Sequence, residues 1–230
     1  MNNKQSDFFS MKAPNFWLLL ILAIALKQIP YVTIPFNWLE SYFHEISHGL
    51  AAVISGGRIV QIQLFTNGAG LCTTLGGSAF LIAFSGYAGA VAWGVLIYKI
   101  ADLKSSYSKY FSYFILALLL ISCVLWVRDF LTLFICALLI VLFLLSVKIS
   151  HFQLLPLVLK IIALMVLLNS FQSPLYLIDG RGIGDGSALS EITFIPEFIW
   201  IALWTALGAF SIYRLGVKGK GSKVKKNSGS

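Results

Sequence analysis

The feature that most constrains this chain is the recurrence of apolar runs long enough to cross a lipid bilayer. Segments at about Pro14 to Ile29, Phe36 to Ile54, Ala79 to Ile100, Tyr110 to Val127, Phe130 to Val147, Leu154 to Leu168 and Ile195 to Tyr213 give about seven of them. A hydrocarbon core about 30 Å thick takes roughly 20 mostly apolar residues per helical crossing. Backbone polar groups in lipid must be satisfied internally, so the expected fold class is all-α, a polytopic transmembrane bundle of about six to seven spans. Composition agrees: 58% of the 230 residues are hydrophobic, 11% are charged, and the mean hydropathy is +0.86. Such a chain is too apolar for a soluble enzyme with a wet surface.

The net charge is +8, but six of the positive residues crowd between Arg214 and Lys226. A basic flank beside a last span reads as cytoplasmic, not as a nucleic-acid surface, so no nucleic-acid partner is expected. If all seven segments cross and the C-terminus is cytoplasmic, Lys99, Lys104, Lys109 and Lys148 also fall inside. The N-terminus then falls outside. Residues 1 to 217 form one membrane domain in this reading, and the Gly-, Ser- and Lys-rich residues 218 to 230 a disordered tail. The polar N-terminal dozen lacks a cleavage pattern, so the first run is expected to be a retained anchor. A bacterial cytoplasmic membrane is the expected location.

Within the second run stands His44-Glu45-Ile46-Ser47-His48. At 3.6 residues per turn the two imidazoles stack on one helix face, where they can grip one metal ion. Two neutral imidazoles and a carboxylate suit a single Zn2+, with the fourth tetrahedral position left to water. Glu45 can take a proton from that water and pass it to a leaving amine, so the chemistry expected is amide hydrolysis. The pentad alone recurs by chance in soluble helices. In the middle of an apolar run an idle Glu would cost several kcal/mol, which makes an ionisable cluster there a functional candidate.

Ser55-Gly56-Gly57 ends that helix, and Arg58 to Thr74 alternates apolar and polar residues about Asn67-Gly68, the pattern of a short membrane-associated β-hairpin. Cys72, Cys123 and Cys136 have no paired metal-ligand spacing and read as packed small residues. Trp38, Trp200 and Trp204 read as interface anchors, Arg128-Asp129 as an ion pair in a tight turn, and His151 as an interfacial residue.

The run Phe43 to Ala52, Ser55-Gly56-Gly57-Arg58, the strand-like Gly68 to Thr74, Ser85-Gly86-Tyr87-Ala88-Gly89 and Gly184-Asp185-Gly186-Ser187-Ala188-Leu189 with Thr193 and Pro196 resemble the site-2-protease class of intramembrane zinc metallopeptidases, in particular its compact M50B-like branch. The resemblance implies a zinc endopeptidase acting on a transmembrane protein substrate, with His44 and His48 as ligands and Glu45 as the catalytic carboxylate. It also implies a third ligand, an aspartate from far along the chain. Asp179 of Ile178-Asp179-Gly180 and Asp185 of Gly184-Asp185-Gly186 both qualify, and Asp185 is preferred because a short helix, a Thr and a Pro follow it. A metal transporter or sensor, or a catalytically silent scaffold, would use the histidines without needing Glu45.

Overall fold

The computed structural model describes residues 15–149, 154–178 and 182–227. Eight α-helices and one β-hairpin follow in order: α1 Phe16–Lys27, α2 Pro30–Ile54, β1 Arg58–Leu64, β2 Gly70–Leu75, α3 Ala79–Ala101, α4 Ser105–Leu125, α5 Phe130–Ile149, α6 Leu155–Gln172, α7 Asp185–Thr193 and α8 Glu197–Asn227. A 3-10 turn, Ser173–Leu177, extends α6. Asp179 and His151 lie outside the described residues, as does the N-terminal polar segment.

Five helices, α3 to α6 and α8, are long and apolar enough to cross a membrane. The first two apolar runs do not add two more, because α1 and α2 meet at a bend of 108° and count at most as one broken span. Pro30 causes the break: it disfavours helix in Ile29, then supplies the first residue of α2, where its missing N–H costs nothing. The motif helix therefore starts at Pro30 rather than at Phe36, and it accommodates Pro35 inside. The count is five, or six with the bent pair, so the lower figure of the expected six to seven is the one that fits.

Phe16 at the start of α1 packs its ring 5.6 Å from that of Tyr98 near the end of α3, and both Phe16 and Trp17 abut Gly216 near the end of α8. The start of α1 and the end of the apolar part of α8 thus share one end of the bundle. At that end Lys160 of α6 also pairs with Asp102 after α3. The opposite end gathers the start of α3, the α4–α5 turn, α7 and the start of α8. There Ser55 binds the Ser78 amide, and Trp126 accepts from the Ile62 amide. The seven-span reading, which put the termini on opposite sides, fails for this reason. At the other terminus, helical backbone in α8 continues to Asn227, into the segment read as disordered. Lys is a good helix former and extends a helix already nucleated by the apolar turns before it.

The hairpin forms where alternation placed it, with antiparallel pairs from Arg58↔Leu75 to Leu64↔Gly70. A bulge between Ile59 and Gln61 shifts the side-chain parity, which lets Ile59, Ile62 and Leu64 all bury. The outer edge of β1 is occupied: the Ile62 amide reaches Trp126 O at 3.0 Å and the Leu64 amide reaches Thr132 Oγ1 at 2.9 Å. Trp38 donates to Phe65 O at 3.1 Å, so it pins the hairpin turn in addition to any interfacial role. Trp200 and Trp204 are buried against Phe84 of α3, the second with its indole N–H on Phe84 O, and are not interface anchors. Arg128 and Asp129 do not pair with each other. The guanidinium caps the carbonyls of Leu125 and Val127, while Asp129 accepts from the Thr132 amide as a helix cap.

Candidate metal centre

The core of the site is the crossing of α2 and α3, where small residues replace side chains. At Gly89 a methyl group would collide with Ser47, and at Gly49 with Ile59, so both glycines set how closely neighbouring backbones approach. This approach carries Ile82 O to within 2.6 Å of His48 Nδ1. A carbonyl can only accept, so Nδ1 holds the ring proton and Nε2 keeps its lone pair for a metal.

The Nε2 atoms of His44 and His48 lie 2.9 Å apart, and Asp185 Oδ2 lies 3.1 Å from the first and 3.3 Å from the second. Asp185 is the first residue of α7, which packs between α3 and α8; the chain thereby returns an aspartate to a helix formed much earlier. Burial alone would raise the Asp185 carboxyl, but His48 and His44 hold it well below the usual carboxylate range. Of the two aspartates considered from the sequence, it is the one brought to the histidines, and the other lies outside the described residues.

These three residues form the metal-binding group found among the described residues. Tetrahedral zinc with bonds of about 2.0–2.1 Å needs ligand atoms about 3.3 Å apart, close to the spacings found here. Gly86 leaves the space. A methyl group there would stand 2.5 Å from His44 Nε2 and closer still to His48 Nε2, so the position above the ligands is open only because residue 86 has no side chain. The donor set, nitrogen and carboxylate oxygen, suits the same ion.

Glu45 is turned away from the two rings towards the hairpin, where its carboxylate accepts the Cys72 amide and lies against Gly70. It is 5% exposed. The Cys72 thiol, pushed up to about 12 by burial and then by Glu45, stays protonated and does not compete as a ligand. A cavity of about 690 Å³ opens beside His44 and Glu45, lined also by Glu40, Ser41, Asn37, Tyr87 and Asn169. Its wall is a chain of polar contacts: Lys27 Nζ to Asn169 Oδ1 at 2.6 Å, Asn169 Nδ2 to Asn37 Oδ1 at 2.9 Å, and Ser173 Oγ to Glu40 Oε1 at 3.0 Å. Ser41 adds a bond to Gly68 O at the hairpin turn.

Glu40 was not singled out from the sequence, although its place four residues before His44 puts it on the same helix face. Tyr87 and Gly70 lie in segments that carried the family resemblance without a role of their own, and the Asn37–Asn169 pair had no local signal, because each matters through a partner on another element.

The model of the Peptidase M50B-like family matches residues 17–214. No curated protein and no solved structure matches the chain. A family model that spans nearly every described helix, from α1 through the apolar length of α8, includes both the histidine helix and the aspartate turn that meet here. This integral, multi-pass membrane protein belongs to the Peptidase M50B-like family.

Proposed function

We propose that the chain is a zinc-dependent intramembrane endopeptidase that hydrolyses peptide bonds of transmembrane protein substrates. The observation that carries this reading is the convergence of His44, His48 and Asp185 beside Glu45 and a polar cavity within the helical bundle. His44, His48 and Asp185 would hold one Zn2+, which supplies Lewis acidity to activate water and polarise a peptide carbonyl.

The residues of the chain do the rest. Ile82 O fixes the His48 tautomer. The Asn37, Ser41, Glu40 and Asn169 wall admits water where lipid would exclude it. Glu45 takes the proton of the attacking water and delivers it to the amine that leaves, and the Cys72 amide and Gly70 keep its carboxylate beside the cavity. A helical substrate hides its peptide bonds in its own hydrogen bonds, so it must unwind before attack. The stretch of the β2 edge beyond the Cys72 amide, which Glu45 holds, can take the unwound segment by strand addition, since β1's outer edge is already used by Trp126 and Thr132.

Sidedness follows from charge. Lys99, Lys104, Lys109, Lys148 and Arg214 stand at the end of the bundle shared by the start of α1 and the end of the apolar part of α8, and Arg58 and Arg128 at the end that holds the site. The basic end is assigned to the cytoplasm of a bacterial inner membrane, which puts the metal centre nearer the opposite face.

The test uses purified protein in lipid and its Glu45→Gln variant, with bound zinc measured and a panel of transmembrane peptides assayed. About one zinc per chain in both, with cleavage only by the unaltered protein, supports the reading. Zinc retained without cleavage by either form sinks it in favour of a binding role.

A further inference from the structure

Two tyrosines, Tyr87 and Tyr176, line the cavity together with His44 and Glu45, and Tyr87 is the one whose ring packs on a candidate metal ligand. Its ring meets the His44 ring edge-on, centroids 4.4 Å apart at 81°, and is backed by Trp204 at 4.8 Å. Trp204 is fully buried and tied to Phe84 O, so the phenol is clamped between a candidate metal ligand and a rigid wall. The hydroxyl makes no hydrogen bond to another described residue, and Tyr87 shares the cavity with Glu40 and Glu45. A clamped donor at the edge of a reaction cavity can bond an acceptor that enters it.

Hydrolysis of an amide supplies such an acceptor. As the oxygen of water bonds to the carbonyl carbon, the π pair moves onto the carbonyl oxygen. Glu45 holds the water's proton and passes it to nitrogen as the C–N bond breaks. The negative oxygen needs a fixed donor during this interval. We infer that Tyr87 is a catalytic residue whose hydroxyl donates a hydrogen bond to the carbonyl oxygen of the scissile peptide as it becomes tetrahedral. The phenol keeps its proton throughout and gives only the hydrogen bond. This inference rests on the endopeptidase reading above.

The experiment compares the unaltered protein with Tyr87→Phe, which preserves the ring contacts with His44 and Trp204. Three quantities are read: bound zinc, kcat and KM on a cleaved transmembrane peptide, and affinity for a phosphinic pseudo-peptide of the same sequence, whose tetrahedral phosphorus mimics the intermediate. Zinc should be unchanged. Loss of one oxyanion donor should lower kcat by about 10²–10³-fold with little change in KM, and weaken the phosphinic ligand by a similar factor. Affinity for the intact peptide, measured with Glu45→Gln as background, should not change. Wild-type kcat and phosphinic affinity in Tyr87→Phe overturn the inference, and so does loss of zinc, which would make the residue a support for His44. If the unaltered protein cleaves nothing, the endopeptidase reading fails by itself, and the phosphinic comparison still decides whether the phenol recognises a tetrahedral oxyanion.

Discussion

Gly86 of α3 faces the Nε2 atom of His48 so closely that a methyl group at residue 86 would crowd it, and would stand 2.5 Å from His44 Nε2 as well. Alanine is the better helix former by about 1 kcal/mol, so Gly86→Ala should leave α3 intact while obstructing the ligands. Bound zinc should fall from about one per chain to near none, and cleavage with it. Elemental analysis of the purified variant, alongside its circular dichroism, checks this: full zinc content would mean the ligands converge elsewhere.

Gly70 gives the complementary case, in which the metal stays and the proton carrier moves. A Cβ at this position would lie 2.5 Å from Glu45 Oε1 and 2.6 Å from its Cγ. Gly70→Ala must push the carboxylate off the Cys72 amide without touching His44, His48 or Asp185. Zinc content should hold while kcat falls by at least about tenfold, towards the ~10²–10⁴ that a general base contributes. Equal losses of zinc and activity would show that the hairpin supports the metal ligands instead.

Asp185→Asn should cost more metal affinity than the ~10–100-fold that follows loss of an outer-shell partner, because the amide oxygen is a neutral and poorer ligand for the same position. Asp179→Asn should keep its zinc. A competition titration with a chromophoric chelator separates the two, and the reverse order would transfer the third ligand to Asp179.

What could be read in the chain divides along the distance over which residues act. His44 and His48 share a helix face by spacing alone, and the Asn67-Gly68 turn fixed the hairpin, since both are local patterns. Asp185 was reachable only through resemblance to a family, because nothing in Gly184-Asp185-Gly186 says which helix it will meet. The break at Pro30 was visible as a boundary, but not its direction: a bend of 108° depends on what α1 and α2 pack against. Trp204 likewise reads as an interfacial anchor until Phe84 and Tyr87 close around it.

Thr132 tests whether the hairpin needs its anchor on α5. Its hydroxyl accepts the Leu64 amide at 2.9 Å in a fully buried position, so Thr132→Val keeps the shape and orphans the amide. Destabilisation of about 1–3 kcal/mol is expected in a denaturation series. With the β1 edge loosened, KM for transmembrane peptides should rise more than kcat falls. No change in either would show that strand pairing alone holds the hairpin.

The direction in which the site faces can be read with single cysteines in a background lacking Cys72, Cys123 and Cys136. Lys104 lies between α3 and α4 at the basic end, and Phe194 lies after α7 at the site end, 92% exposed. In intact cells, a membrane-impermeant maleimide should label Phe194→Cys and spare Lys104→Cys, which should react only after the membrane is opened. The expectation rests on the excess of Lys and Arg at one end of the bundle over the other. The opposite labelling pattern would turn the metal centre towards the cytoplasm and require the basic residues to be held outside, with the membrane potential opposing them.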